Sequence, residues 1–259
     1  MINLKLIMVF GGLRMITCIS GIPGSGKNVR ATYLARKHYK KNNNIIRKLI
    51  RKITHQPVIQ NNIYSTYPIC IKKYRKKSKK QDIYSNMVTL YDLVPDNRFI
   101  KNANIFCDET QAFYDSEEHR EFPKDIATFN QFHRHFDVEN IYYITQHPSR
   151  LMKKLRILCC EFDKIKTFIN IPFINLGFMH IIRYFEFDDY GKYHHPKKEA
   201  KTYDVKNKYC LFFTRKTFKS YDSKYLKVLN KDKPLYDRGT FNTLSLSAEQ
   251  ISYIYRDRI

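Results

Sequence analysis

Gly21-Ile22-Pro23-Gly24-Ser25-Gly26-Lys27-Asn28 is the stretch whose residue types could do chemistry. Gly21, Gly24 and Gly26 let a backbone turn its N–H groups inward without a Cβ in the way. Lys27 would bring a point charge to the β- and γ-phosphates of a nucleotide. A helix N-terminus behind the loop would add partial positive charge at the same spot. The spacing fits G-x-x-x-x-G-K-[ST] up to its last position, where this chain has Asn28 in place of a hydroxyl residue. That hydroxyl is the group that meets a magnesium ion. An amide oxygen can ligate magnesium as well, on a longer arm and with no proton to lose. The loop therefore supports nucleotide binding, with Ser25 and Asn28 among the contacts, better than it supports hydrolysis.

Two further stretches end in polar groups at useful distances. Asn104-Ile105-Phe106-Cys107-Asp108-Glu109 reads as an apolar strand closed by two acids. Asp108 suits a magnesium shell and Glu109 the polarisation of an attacking water. A buried strand ending in two carboxylates is costly unless a cation or donor meets them. Gln111 follows and is placed to orient the site. Ile141-Tyr142-Tyr143-Ile144-Thr145-Gln146 is a second such strand. In P-loop enzymes with an extra strand between the loop strand and the acidic strand, a polar residue here senses the γ-phosphate. Gln146 is the first choice and Thr145 the second. An arginine reaching a neighbouring subunit's nucleotide would complete the set. Arg134, within His133-Arg134-His135, is the candidate, with Arg150 and Arg156 as rivals. Arg134 reads equally well as a phosphate contact or a solvated residue.

These residues need a strand, a tight turn and a helix around them. Met15 to Ser20 supplies the strand, and a helix runs from the loop to about Lys41. Asn42-Asn43-Asn44 interrupts it. From Ile45 to Ile53, aliphatic and basic residues recur at near-helical spacing, a basic amphipathic helix suited to a partner groove, a DNA backbone or a membrane surface. Val58 to Tyr67 reads as a strand ended by Pro68, and Ile126 to Phe136 as a helix with Phe129, Phe132 and Phe136 on one face as core or interface anchors. Strands are expected within Lys164 to Tyr184 and at Tyr209 to Thr214, either extending the sheet or forming a small β appendage, with a terminal helix at Ala248 to Tyr255. The predicted class is α/β: a P-loop fold of the additional-strand type with a mainly parallel sheet, plus a small β-rich C-terminal extension. The expected divisions are residues 1–14 as an extension, 15–163 as the nucleotide-binding core and 164–259 as the C-terminal part.

Charge is the strongest compositional signal. The 259 residues carry 47 Lys and Arg against 24 Asp and Glu, a net charge of +23. No acid occurs before Asp82, whereas residues 1–81 hold 19 Lys and Arg. Lys72-Lys73-Tyr74-Arg75-Lys76-Lys77-Ser78-Lys79-Lys80 concentrates that charge in a loop fit for phosphates rather than for reading bases. A field of this sign attracts nucleic acid or an anionic membrane. The six cysteines form no C-x-x-C pair and read as core thiols. The apolar run Phe168 to Phe187 is broken by Asn170, Pro172, Asn175, Gly177, His180 and Arg183, poor for a spanning helix. Neither a secretory signal nor a clear transmembrane helix is expected, which places the chain in a cytoplasm or on the cytoplasmic face of a membrane.

Met15-Ile16-Thr17, the Gly21–Lys27 loop, Asp108-Glu109-Thr110-Gln111, Phe122-Pro123, His133-Arg134-His135 and Thr145-Gln146-His147-Pro148 together resemble the zonular occludens toxin family, which includes assembly ATPases of filamentous phages. The resemblance runs from Met15 to about Asp163. It implies ATP and Mg2+ as cofactors, Lys27 on phosphate, Asp108 and Glu109 as the Walker B pair and Gln146 as sensor. It also implies a homo-oligomer that extrudes or packages single-stranded viral DNA or nucleoprotein beside phage assembly and membrane proteins, in a host cytoplasm or at its inner membrane. Asn28 departs from the pattern, and so does the lack of a recognisable membrane span. A motor that turns over ATP is favoured by Glu109 and the arginines. A nucleotide-gated scaffold with little hydrolysis is favoured by Asn28. A basic membrane-peripheral module, driven by residues 45–53, is the third reading.

Overall fold

The computed structural model describes residues 15–55, 61–72, 74, 82–88, 103–110, 124–135, 138–171, 176–185, 207–214, 217 and 220. Ten strands and four α-helices lie among them. The strands are β1 (Met15–Ser20), β2 (Ile63–Ser65), β3 (Cys70–Lys72), β4 (Ile83–Tyr84), β5 (Asn86–Met87), β6 (Ala103–Cys107), β7 (Val138–Thr145), β8 (Glu161–Ile171), β9 (Leu176–Tyr184) and β10 (Asn207–Thr214). The helices are α1 (Lys27–Asn42), α2 (Ile45–Ile53), α3 (Lys124–Phe132) and α4 (Lys153–Leu158).

Eight strands form one sheet in the order β10-β9-β8-β1-β7-β6-β2-β5, and β3 and β4 form a separate hairpin-like pair. From β8 through β5 every pairing is parallel. The β8–β9 and β9–β10 pairings are antiparallel. The strand between β1 and β6 is β7, the additional strand expected from the sequence. Along β1, Ile16 and Cys18 pack into one core with Ile105, Cys107, Ile141, Tyr143, Phe129 and Leu155. Ile19 packs on the other face with Ala31, Leu34, Phe106, Tyr142 and Ile144. Successive side chains alternate between two covered faces, which is why the central strands read as unbroken apolar runs. The C-terminal strands extend this sheet rather than standing apart, and β8 runs continuously across residue 163.

Four expectations are adjusted. The strand expected from Val58 is realised only at Ile63–Ser65, because Ser65 Oγ accepts from Tyr67 N at 3.3 Å and turns the chain, with residues 58–60 outside the described set. The helix expected to reach Phe136 ends at Phe132. There His133 Nδ1 donates to Asn130 O at 2.8 Å and Val138 N bonds His133 O, steering the chain into β7. Phe129 is buried as anticipated, but Phe132 is 43% exposed and no core anchor. Cys18, Cys70, Cys107 and Cys159 are buried thiols, whereas Cys160 and Cys210 are exposed. Residues 1–14, most of the basic loop after Lys72, Gln111, the polar stretch 113–123, Phe136 and the terminal helix at 248–255 lie outside the described residues.

Candidate nucleotide site

Parallel register brings the ends of three strands to one edge. Ser20 pairs with Thr145, and Cys18 and Cys107 both pair with Tyr143. Gly21, Asp108 and Gln146 therefore emerge together at the carboxyl edge of the sheet, where open α/β sheets place ligands. Gly21 N donates to Gln146 O at 3.3 Å, tying the loop to the end of β7.

The loop closes on the first turn of α1. Gly26 is the helix N-cap at φ 89 and Gly24 sits at φ 78, both in the left-handed region that glycine reaches freely. A Cβ at Gly26 would also lie 2.8 Å from Met179 Cε and 3.0 Å from Phe168 Cγ, so β8 and β9 press on the loop. Lys27 is buried, and its ammonium donates to the carbonyls of Gly21 at 2.8 Å and Ile22 at 3.1 Å. Burial lowers the Lys27 pKa, opposed by the charges of Glu109 and Asp108. Ser25 Oγ is buried without a hydrogen-bond partner. An orphaned buried hydroxyl in this loop is a group that an anion would satisfy.

Asn28 meets the acidic strand end. Its Nδ2 donates to Asp108 Oδ2 at 2.6 Å across 80 positions of sequence. Asp108 N donates to Thr66 Oγ1 at 2.9 Å, and Asp108 Oδ1 accepts from Glu109 N at 2.9 Å. Burial, with the charge of Glu109 second, pushes the Asp108 carboxyl from 3.8 up to about 6 against the pull of the Glu109 N–H, Asn28 and Lys27. Glu109 is exposed and takes φ 48, left-handed for a side-chain-bearing residue. Such backbone is uncommon and concentrates at functional turns.

A raised carboxyl has a consequence for stability. The folded state holds the Asp108 proton more tightly than the unfolded chain, so this contribution is full below 3.8 and is lost as pH rises through about 6. The displacement corresponds to about 3 kcal/mol. Stability of the nucleotide-free protein, followed by denaturant unfolding, should fall over that window. Asp108→Asn should flatten the fall, and an unchanged slope in that variant would place the penalty elsewhere.

The other sequence candidates are spread unevenly. Gln146 is half-buried at the site edge. Thr145 Oγ1 is committed to its turn, donating to His147 O at 3.2 Å. Arg134 is exposed in the turn after α3, and Arg150 is exposed in the short 3-10 turn Pro148–Arg150. Arg156 Nη1 donates to Ser149 O at 2.9 Å, bracing that turn.

Sequence reasoning missed the cluster that fixes α1 in place. Asp163 on β8 is fully buried and meets Arg30 Nη2 at 3.0 Å and Arg183 Nε at 2.7 Å. Arg183 Nη1 also bonds Glu161 at 3.0 Å, and Tyr209 OH donates to Asp163 at 3.3 Å. Burial alone would raise the Asp163 carboxyl, but Arg183 and Arg30 outweigh it and hold it below its ordinary value. Arg30 lies one turn beyond Lys27, so this cluster ties the N-terminal end of α1 to β8, β9 and β10. Two acids two apart in β8 and one arginine in the next strand were the available signal; Asp163 and Arg183 are direct cross-strand neighbours.

The chain is similar to several solved structures. The N-terminal domain of zonular occludens toxin from Neisseria meningitidis is similar at 15% identity and a TM-score of 0.48, over 82% of this chain and 100% of that one. The genome packaging NTPase B204 from Sulfolobus turreted icosahedral virus 2, in complex with ATP-gammaS, is similar at 12% identity and a TM-score of 0.37, over 60% and 76%. B204, described as the DNA-packaging ATPase from Sulfolobus turreted icosahedral virus, is similar at 13% identity and a TM-score of 0.36, over 79% and 94%. No curated protein matches the sequence. Residues 15–227 match the model of the family described as zonular occludens toxin (Zot), and the chain belongs to that family.

Proposed function

We propose that the chain binds ATP with Mg2+ at the Gly21–Asn28 loop and, as a homo-oligomer, uses it in phage morphogenesis to extrude or package single-stranded viral DNA. The observation that carries this reading is the 2.6 Å contact between Asn28 and Asp108, directly beside Lys27. It joins the last loop position to the acidic strand end, the two positions that share a cation in P-loop NTPases. The orphaned Ser25 hydroxyl fits a phosphate. No group of three or more His, Cys, Asp or Glu converges among the described residues. A cation here would be held by Asp108 and the Asn28 carbonyl oxygen, with phosphate oxygens as further ligands.

ATP supplies a phosphoanhydride whose terminal phosphoryl group can pass to water. Lys27 holds phosphate oxygens, and Glu109 accepts the proton of the attacking water. Gln146 orients that water and reads the terminal phosphate. Arg134 is exposed and is offered here as the group that reaches a neighbouring subunit's nucleotide. Residues 15–163 form the nucleotide-handling part in this reading, with its place of action the host cytoplasm or the cytoplasmic face of the inner membrane, beside phage assembly and membrane proteins. No helix among the described residues is long and apolar enough to cross a membrane.

A nucleotide-gated scaffold is the second reading, and Asn28 is the residue that favours it. Both readings require nucleotide binding. Lys27→Ala should weaken binding of a fluorescent ATP analogue by about 100-fold or more, about 2.7 kcal/mol. Unchanged affinity in that variant would remove the loop from nucleotide binding.

A further inference from the structure

Helix α2 is built inside out. At about 100° per residue, Ile45, Ile46, Leu49, Ile50 and Ile53 share one arc and Arg47, Lys48, Arg51 and Lys52 the opposite one. An amphipathic helix on a globular protein ordinarily buries the aliphatic arc. Here no residue of α2 is buried, and the two half-buried ones are Arg47 and Arg51. Arg51 bonds both the side chain and the carbonyl of Asn42 at the end of α1. The basic edge thus holds the helix to the body while the aliphatic arc faces out. Ile45 is 82% exposed, Leu49 58% and Ile53 67%.

We infer that this face is a docking surface for an anionic lipid bilayer, with α2 lying in the plane of the interface. Three observations choose this occupant. Exposed Lys48 and Lys52 border the aliphatic arc, and Lys37, Lys40 and Lys41 are exposed on the adjoining turns of α1, so the surroundings attract anions. A second copy docked through this same face would set Lys48 and Lys52 and the lysines of α1 against their own counterparts, while other surfaces stay open for self-assembly. A nucleic acid would be met by cations and flat rings, yet the outward arc is aliphatic and α2 has no aromatic residue. Aliphatic residues sunk in the acyl boundary, with lysines at the headgroups, are the arrangement of an interfacial helix. The surface is separate from the nucleotide loop, and its role stands whether or not the chain hydrolyses ATP.

Flotation of the full chain with vesicles tests this. The protein should float with equimolar phosphatidylglycerol and phosphatidylcholine and not with phosphatidylcholine alone, and added salt should weaken the association. Leu49→Gln/Ile53→Gln should lower partitioning by about tenfold or more. Lys48→Glu/Lys52→Glu should lower it on anionic vesicles by a similar factor. Retained binding of an ATP analogue shows that each variant is folded. Parent-like flotation of Leu49→Gln/Ile53→Gln would overturn the inference. So would failure of the parent chain to float, with that variant instead losing self-association in sedimentation or losing affinity for single-stranded DNA.

Discussion

Glu109→Gln is expected to leave nucleotide binding intact and to lower ATP turnover by about 10³-fold. Gln keeps the shape and a hydrogen-bonding end but cannot accept a proton. Glu109 stands immediately after Asp108 at the carboxyl edge of β6, exposed and with left-handed backbone. Its charge opposes the lowering of the Lys27 pKa and adds to the raising of the Asp108 carboxyl. Steady-state hydrolysis measured beside analogue binding separates the two effects. Turnover equal to the parent chain would take Glu109 out of its role; lost binding would make it a structural contact.

Arg183→Leu is expected to destabilise the fold by about 3–5 kcal/mol at neutral pH. The side chain bonds Asp163 through Nε and Nη2 and Glu161 through Nη1, all from β9. Removing it leaves Asp163 buried with Arg30 and Tyr209 as partners and Glu161 without its guanidinium. The pH dependence has a definite sign. Asp163 has a lowered carboxyl, so its contribution is present above 3.8 and is lost as pH falls through its lower folded value. In Arg183→Leu the unmatched charge neutralises as acid is added, so the difference between the proteins should shrink toward low pH. Denaturant unfolding across pH measures this. A deficit below about 1 kcal/mol at neutral pH would mean that water or Arg30 compensates the charge.

The placement of the Gly21–Asn28 loop, Asp108, Glu109 and Gln146 at strand ends was legible because each lies in a short run of adjacent residues whose strand-end context shows in the same few positions. The Asn28–Asp108 contact follows once β1 and β6 are placed in one parallel sheet. The Arg30–Asp163 pair was not legible: the two lie 133 positions apart and meet only through the β1–β8 register. Period-2 and period-3.6 patterns state which residues share a face, not which neighbour covers it. Helix α2 shows the same limit. Its spacing gave an amphipathic helix, yet the fold turned the basic edge inward through Arg51 and Asn42. Phe132 closes its helix before the His133 turn and is exposed, which leaves only the interface alternative of its expected role.

The central claim is that Asn28 serves in a working ATP site, and Mg2+-dependent ATP hydrolysis by the purified chain, with and without single-stranded DNA and beside Asn28→Thr, tests it most directly. The expected result is turnover in the parent chain that DNA stimulates and that Asn28→Thr changes little. Absence of turnover in the parent chain, with tight ATP binding and activity gained in Asn28→Thr, would contradict the motor and leave a nucleotide-gated scaffold.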